Sequence, residues 1–103
     1  MYHIEYLPSA LLDLTEISAY IGVKLQNPSA ADNFAENIIK AVDDLSEMPY
    51  KFSTYTPIKP LKHEYRKIIV KNYLIFYWID EDKKLVSVAR VVYGRRNVEE
   101  VLD

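Results

Sequence analysis

The first half of the chain carries apolar residues every three or four positions, the spacing of an amphipathic helix. The first such stripe contains Leu11, Leu14, Ile17, Ile21 and Leu25. Pro8-Ser9 suits the start of this helix because proline is well tolerated in a first helical turn. Asp13 and Glu16 are predicted to lie on its solvated side. The pattern therefore predicts one helix that begins near residue 8.

A second stripe follows a short stop-and-restart signal, Asn27-Pro28, in which the asparagine caps a new helix. Its apolar positions are Ala31, Phe34, Ile38, Val42 (or Ala41), Leu45 and Met48, and Pro49 ends it. Because the connection between the two helices is so short, they are predicted to form an antiparallel hairpin.

Strand patterns flank this hairpin on both sides. Residues 2–7 alternate in a way that predicts a short first strand. After a proline-rich loop over residues 49–64, residues 66–71, 73–79 and 85–93 are rich in β-branched and aromatic side chains. Lys71-Asn72 is predicted to be a tight turn, and the charged residues 80–84 a hairpin connection.

The predicted order is therefore β-α-α-β-β-β, an α+β fold, because helices and most strands are segregated along the chain. The last three strands are expected to pair antiparallel, with the helix hairpin on one sheet face. A length of 103 residues is that of one domain, residues 1–103.

Composition excludes several classes of chemistry. The chain contains no cysteine, so it has no disulfide, thiolate nucleophile or cysteine-ligated zinc. His3 and His63 are not spaced as metal ligands, and Gly22 and Gly94 are too few for a glycine-rich phosphate loop. No cofactor and no metal are expected. Neither an export signal nor a membrane span is recognisable, so a cytoplasmic protein with no membrane contact is the expectation.

Charge is divided unevenly along the chain. Residues 1–58 carry a net charge of −5 and residues 59–103 a net charge of +3. Such asymmetry fits a surface that meets a polyanion or an acidic protein. It fits equally well a solvated sheet face whose edges are protected by cations.

A basic set provides the candidate functional residues: Lys59, Lys62, His63, Arg66, Lys67, Arg90, Arg95 and Arg96. Arginine binds phosphate or carboxylate in a bidentate manner. Tyr65 and Tyr93 could stack on a base or donate a proton. The alternatives are that Arg90 only covers a sheet face with its stem and that Tyr93 belongs to the core.

Four segments in this order resemble the RelE/ParE superfamily, the toxins of bacterial type II toxin–antitoxin pairs. They are YLPSALLDLTEISAYI, LSEMP, NYLIFYWID and RVVYGRR, and together they span nearly the whole chain. The resemblance implies a cognate antitoxin that holds the toxin inactive. It also implies that operator DNA is contacted only through the antitoxin.

The resemblance also indicates which branch of the superfamily the chain is more similar to. RelE-type ribonucleases look as though they place an arginine where this chain has Leu74, and a tyrosine acid near the C-terminus, which is absent here. The ending VYGRRN is more similar to the ParE branch, whose members inhibit DNA gyrase by binding.

Three hypotheses follow. The first is a ParE-like toxin that binds a protein target such as gyrase through Lys59, Lys62, Arg66, Arg90, Tyr93, Arg95 and Arg96. The second is a ribosome-dependent mRNA endonuclease with His63, Glu64, Arg66, Tyr93 and Arg95 as catalytic residues. The third is a toxin-derived binding module without toxicity.

The strand over residues 73–79 is apolar on both faces. Leu74, Phe76 and Trp78 are expected to lie on the face away from the helices. We expect an amphipathic antitoxin segment to cover that face. The sequence leaves open whether the chain forms a homodimer.

Overall fold

The computed structural model describes residues 1–57, 60–94 and 101–102. Its elements are β1 (His3–Tyr6), α1 (Pro8–Ala19), a π-helical turn (Tyr20–Lys24), α2 (Pro28–Asp43), a 3₁₀ turn (Asp44–Ser46), β2 (Arg66–Val70), β3 (Tyr73–Asp80) and β4 (Leu85–Tyr93). Two helices pack on one face of a four-stranded mixed sheet, so the predicted α+β fold is confirmed.

The strands lie in the order β1-β4-β3-β2. The predicted antiparallel pairing of β2 with β3 and of β3 with β4 is confirmed. β1 adds a parallel strand at the far side of β4, with Ile4 opposite Val86. A β-bulge interrupts the β3–β4 pairing, because Phe76 pairs with Arg90 and Tyr77 with Val88. Bulges bend and twist a strand locally.

Both predicted turns are present. Lys71 adopts a φ of 53° between β2 and β3, and Lys84 a φ of 51° between β3 and β4. The Gly94 N–H donates to the Asn72 carbonyl oxygen at 2.8 Å. A Cβ at Gly94 would lie only 3.2 Å from that oxygen, so the absence of a side chain permits this close approach.

The main core lies between the helices and the sheet. α2 and the turn after it contribute Phe34, Ile38, Val42 and Leu45, all predicted from the apolar spacing. Three positions of the predicted stripes are wrong, because Leu11, Leu25 and Met48 are 51%, 55% and 58% exposed. The π-helical turn changes the helical period after Ala19, which displaces Leu25 from the stripe.

A second apolar cluster occupies the other face of the sheet, which we call the open face. It contains Tyr65, Phe76, Ala89, Val92 and Leu102, with Tyr55, Leu61 and Val101 packed against it. The face that was expected to be covered by an antitoxin segment is therefore already shielded by the chain itself. Tyr55 and Leu61 of the loop before β2, together with Val101 and Leu102, pack on it.

The helix hairpin is closed by local capping. The Asn27 side chain accepts a hydrogen bond from the Ala30 N–H at 3.1 Å, as its place before Pro28 predicts.

Within the described ranges, no helix combines the length and the apolar character required to traverse a bilayer.

Candidate interaction surfaces and the buried Asp13–Arg90 pair

The C-terminal half of β4, beyond Val88, borders α1 instead of another strand. β1 ends at Tyr6, and beyond this point the backbone polar groups on the edge of β4 form hydrogen bonds with Leu7 and the start of α1. The Leu7 N–H donates to the Val88 carbonyl oxygen at 2.9 Å, and the Ser9 hydroxyl to the Ala89 carbonyl oxygen at 2.7 Å. Side chains of α1 therefore replace a missing strand along this edge.

Asp13 is the central residue of that replacement. Its carboxylate accepts from the Val91 N–H at 2.9 Å, and from Arg90 Nε and Nη2 at 2.7 and 2.8 Å. The remaining Arg90 contact is Nη1 to the Val101 carbonyl oxygen at 3.1 Å. Bidentate pairs of this kind fix both partners in orientation.

This arrangement changes the expectations for both residues. Asp13 is only 7% exposed, so its assignment to a solvated helix face is wrong. Hydrogen bonding to Asp13 raises the pKa of Arg90, although burial acts in the opposite direction. Because its guanidinium is held by Asp13 and Val101, Arg90 joins α1, β4 and the C-terminal residues and is not a freely presented cation.

His63 and Trp78 form a stacked pair beside the open face. Their ring centroids are 3.7 Å apart with an interplanar angle of 4°. Tyr65 meets both rings edge-on, at 6.0 Å from His63 and 5.6 Å from Trp78. The pair has two small clefts at its sides.

The first cleft, of about 150 Å³, is lined by Tyr50, His63, Glu64, Arg66, Trp78 and Ile79. The second, of about 240 Å³, adds Lys62, Arg90 and Val101 to the same two rings. The structure thus brings together His63, Glu64 and Arg66, three of the residues predicted for catalysis.

The cations near these clefts contact aromatic rings. The Arg66 guanidinium lies 4.9 Å from the Tyr50 ring centroid, and its Nη1 donates to the Phe52 carbonyl oxygen at 2.6 Å. Lys67 Nζ lies 5.9 Å from the Tyr55 ring. Within the described residues, neither cation forms an ion pair with a carboxylate.

Tyr93 lies away from the two clefts beside His63 and Trp78. It meets Tyr73 edge-on at 5.8 Å, and Tyr73 packs against Phe34 of α2 at 4.7 Å. A groove of about 550 Å³ beside this pair is lined by Glu16, Ile17, Tyr20 and Leu25. Tyr93 is 39% exposed and lies on the helix-covered face, so it is neither a core residue nor part of the clefts.

The remaining predicted site residues have the following positions. Lys59, Arg95 and Arg96 lie outside the described residues. Phe76, one of the three residues expected to bind the antitoxin, is fully buried and cannot contact a partner in this conformation. Leu74 and Trp78 are half-buried against the second cluster.

One cluster of polar side chains, around Glu81, could not be predicted from the sequence. The Glu81 carboxylate accepts hydrogen bonds from the Tyr2 and Tyr50 hydroxyls at 2.8 and 2.7 Å. It also forms an ion pair with Lys84. These bonds, chiefly that of Lys84, lower the pKa of Glu81 to about 2. The residues come from the N-terminus, the loop after α2 and the β3–β4 turn, and their proximity follows only from the fold.

Among the described residues, no group of three or more histidine or acidic side chains could hold a metal.

The sequence matches a family model over residues 4–98, that of the ParE toxin of type II toxin–antitoxin systems, parDE. The chain belongs to the ParE toxin family. This family is the toxin half of a toxin–antitoxin pair, so a cognate antitoxin is its expected partner. No curated protein sequence matches significantly.

Solved structures agree on the fold. A chain of the chromosomal ParDE system of P. aeruginosa matches with a TM-score of 0.72 at 17% identity, covering 90% of this chain and 96% of that one. The E. coli RelBE toxin–antitoxin complex matches with a TM-score of 0.61 at 18% identity, covering 93% and 100%. RelBE2 of Mycobacterium tuberculosis matches with a TM-score of 0.57 at 21% identity, covering 89% and 96%.

Proposed function

We propose that this ParE-family toxin arrests growth by binding DNA gyrase, not by cleaving RNA, and that a cognate antitoxin neutralises it. The proposal rests on the family membership and on one geometric observation. Two residues of the ribonuclease hypothesis, Tyr93 and His63, lie on opposite faces of the sheet and beside different ends of β3.

That division follows from the strand register. Tyr93, the acid of the ribonuclease hypothesis, pairs with Tyr73 on β3. His63 stacks on Trp78, five residues further along β3, which corresponds to roughly 16 Å at ~3.3 Å per residue. Tyr73 packs on α2, whereas Trp78 belongs to the cluster on the open face. A general acid must lie within hydrogen-bonding reach of its substrate atom, so Tyr93 cannot serve the His63 cleft in this conformation.

For target binding we assign the C-terminal end of β4. Tyr93 is exposed there and directly precedes Gly94, Arg95 and Arg96 in the sequence. Aromatic and arginine side chains are the residue types that most often dominate binding energy at protein interfaces. Lys59, Lys62 and Arg66, predicted for the same surface, contribute to it only as charges that increase the association rate, because Lys62 and Arg66 line the clefts beside His63 and lie away from Tyr93. Arg90 positions the strand through Asp13.

The antitoxin requires a surface other than the one expected from the sequence. Phe76 is buried, and the chain covers the open face itself. Exposed apolar side chains instead lie along α1 and the π-helical turn, at Leu11, Leu12, Tyr20, Val23 and Leu25, and two of them, Tyr20 and Leu25, line the groove beside Tyr93. Exposed apolar side chains beside a groove are typical of a protein-binding surface, and an antitoxin segment is the occupant we assign.

A supercoiling assay tests the proposed target. Relaxed plasmid, purified gyrase and ATP are incubated with increasing amounts of the purified chain, and the topoisomers are resolved on a gel. We expect loss of supercoiling, and restoration when the product of the adjacent antitoxin gene is added. In cells, induction should elicit a DNA-damage response while mRNA remains intact. New mRNA 5′ ends within codons, or no growth effect at all, would contradict the proposal.

A pair of matched variants locates the contact. The double variant R95A/R96A removes two positive charges at the assigned surface. The double variant K24A/K40A removes two positive charges from exposed positions in the π-helical turn and α2. We expect the first to lose inhibition of gyrase and the second to retain it. Equal loss in both would show that only net charge matters.

A further inference from the structure

We propose that the groove beside Tyr93 is the pocket in which an arginine side chain of the antitoxin segment binds. Its guanidinium would pair with the Glu16 carboxylate and lie against the tyrosine rings of the groove. This inference rests on the proposed function, because it names the contact that the antitoxin makes on the surface assigned to it there. A segment seated in this groove would also cover Tyr93, a residue assigned to the contact with gyrase.

Three tyrosine rings and one carboxylate form the polar part of the groove. The described residues that line it are Glu16, Ile17, Tyr20, Leu25, Tyr73 and Tyr93. Tyr73 meets Tyr93 edge-on at 5.8 Å. Burial raises the pKa of Tyr73, and the nearby Tyr93 and Tyr20 hydroxyls raise it further, so the three phenols lie close to one another. The faces of aromatic rings are negative and attract a cation.

The end of α1 places the carboxylate and one ring on the same side of the helix. Glu16 and Tyr20 are four residues apart, where α1 passes into the π-helical turn, and side chains at this spacing are neighbours. Tyr20 is 55% exposed, so its ring is accessible to a partner. Phe34 of α2 packs against Tyr73 at 4.7 Å and fixes that ring on the sheet side of the groove.

The charge of the groove favours a positive occupant. Glu16 is exposed and, among the described residues, forms no ion pair, and no described lysine or arginine lines this groove. The pKa of Arg90 is raised chiefly by Asp13 and further by Glu16, but its guanidinium is already bound by Asp13 and Val101. One guanidinium beside two carboxylates leaves a negative charge at Glu16.

Arginine fits this groove better than a lysine or an apolar side chain. Its planar guanidinium stacks on aromatic rings and binds a carboxylate in bidentate geometry. A lysine offers only a compact, strongly hydrated point charge. An apolar side chain would leave Glu16 without a partner once the bound segment excludes water.

The same charge separates the antitoxin from gyrase. The surface assigned to gyrase contains Arg95 and Arg96, which follow Tyr93 in the sequence, so we expect its partner surface to be acidic. A negative groove attracts the opposite kind of side chain. The arginine that pairs with Glu16 is therefore assigned to the antitoxin.

Isothermal titration calorimetry measures this contact. The purified product of the adjacent antitoxin gene is titrated into the wild type, E16Q and E36Q, of which the last removes a charge from an exposed position of α2 outside the groove. We expect E16Q to weaken binding by about tenfold, the loss of one charge-assisted hydrogen bond, and E36Q to leave it unchanged. Equal affinities of E16Q and E36Q would overturn the proposal.

Two substitutions of Tyr20 distinguish a cation from an apolar occupant. Y20F keeps the aromatic ring and should bind the antitoxin as the wild type does. Y20L keeps an apolar side chain without a π-face and should bind about two- to fivefold more weakly. If Y20L bound as tightly as Y20F, the occupant would be apolar and the proposal would fail.

A charge reversal identifies the partner residue. E16R should bind the antitoxin more weakly than E16Q does, because it places two guanidinium groups together. Among arginine-to-glutamate variants of the antitoxin, one should bind E16R more tightly than the unmodified antitoxin does. Such a rescue cannot arise from misfolding, and its absence for every arginine would show that none of them meets Glu16.

Gyrase inhibition by the same variants separates this inference from the function on which it rests. Without antitoxin, E16Q should inhibit supercoiling as the wild type does, and its neutralisation should require about tenfold more antitoxin. If E16Q lost inhibition but bound the antitoxin normally, the groove would receive a gyrase residue and this inference would be wrong. If the wild type did not inhibit gyrase, the proposed function would fail while the calorimetric result would stand.

Discussion

Asp13 and Arg90 are 77 residues apart in the sequence, yet they form a bidentate pair that closes the edge of the sheet. The same carboxylate accepts the Val91 N–H, a backbone donor that would otherwise point at a helix without a partner. Together with the Leu7 N–H and the Ser9 hydroxyl, Asp13 thus replaces the strand that β1 is too short to provide. The pair also links α1 to the C-terminal residues through Val101.

Replacing Asp13 by alanine should therefore destabilise the protein by about 3 kcal/mol, because it leaves a partly buried guanidinium without its partner and a buried N–H unsatisfied. Urea unfolding, followed by circular dichroism, measures the change. Glu16 lies three residues away on α1 and is exposed, so E16A should cost less than about 0.5 kcal/mol. Equal effects of the two substitutions would show that the Asp13 contacts contribute little.

Tyr77 gives a prediction at high pH. Its hydroxyl is buried and donates to the Pro49 carbonyl oxygen at 2.7 Å, and burial raises the pKa of Tyr77 to about 12. The folded state therefore favours the neutral phenol. This contribution is fully present below the unfolded pKa of about 10 and is lost as pH rises towards 12.

The test compares the wild type with Y77F by chemical unfolding between pH 8 and about pH 11. At pH 8 the variant should be less stable by about 1 kcal/mol, since the Pro49 carbonyl loses its donor. The difference should shrink above pH 10. Tyr6, whose pKa is also raised to about 12, remains in both proteins and cancels in the comparison. A difference that is constant with pH would contradict the burial of the Tyr77 hydroxyl.

Glu81 gives the opposite dependence at low pH. Its pKa is lowered to about 2 by the bonds from Lys84, Tyr50 and Tyr2, so it stabilises the fold while ionised. The contribution is present above the unfolded pKa of about 4.5 and is lost as pH falls towards 2. Thermal unfolding of the wild type and E81Q should therefore differ at pH 6 and converge near pH 2. Asp82 is exposed in the same turn, and D82N controls for the change in net charge. Persistence of the difference at pH 2 would rule out the ionised carboxylate as its origin.

The sequence predicted those parts of the fold that depend on local periodicity. The α2 stripe from Phe34 to Leu45, the turn at Lys71 and the three antiparallel strands follow from spacing and turn chemistry, and all are present. Asp13 was misplaced because helical spacing alone cannot reveal a partner 77 residues away. His63 and Trp78 likewise stack only after the loop before β2 folds back along β3. Long-range pairings of this kind are decided by tertiary packing, on which a single sequence gives no direct information.

The second apolar cluster yields the last prediction. Leu102 is 2% exposed and lies against Phe76 and Val92 on the open face, where the sequence led us to expect an antitoxin. If the C-terminus of the chain is the cover, L102A should cost about 2–4 kcal/mol and should increase binding of a dye that reports exposed apolar surface. M48A, at a 58% exposed methionine, removes a comparable side chain and should change neither quantity by much. If L102A left stability and dye binding unaltered, the open face would not depend on this residue, and its availability to a partner would have to be reconsidered.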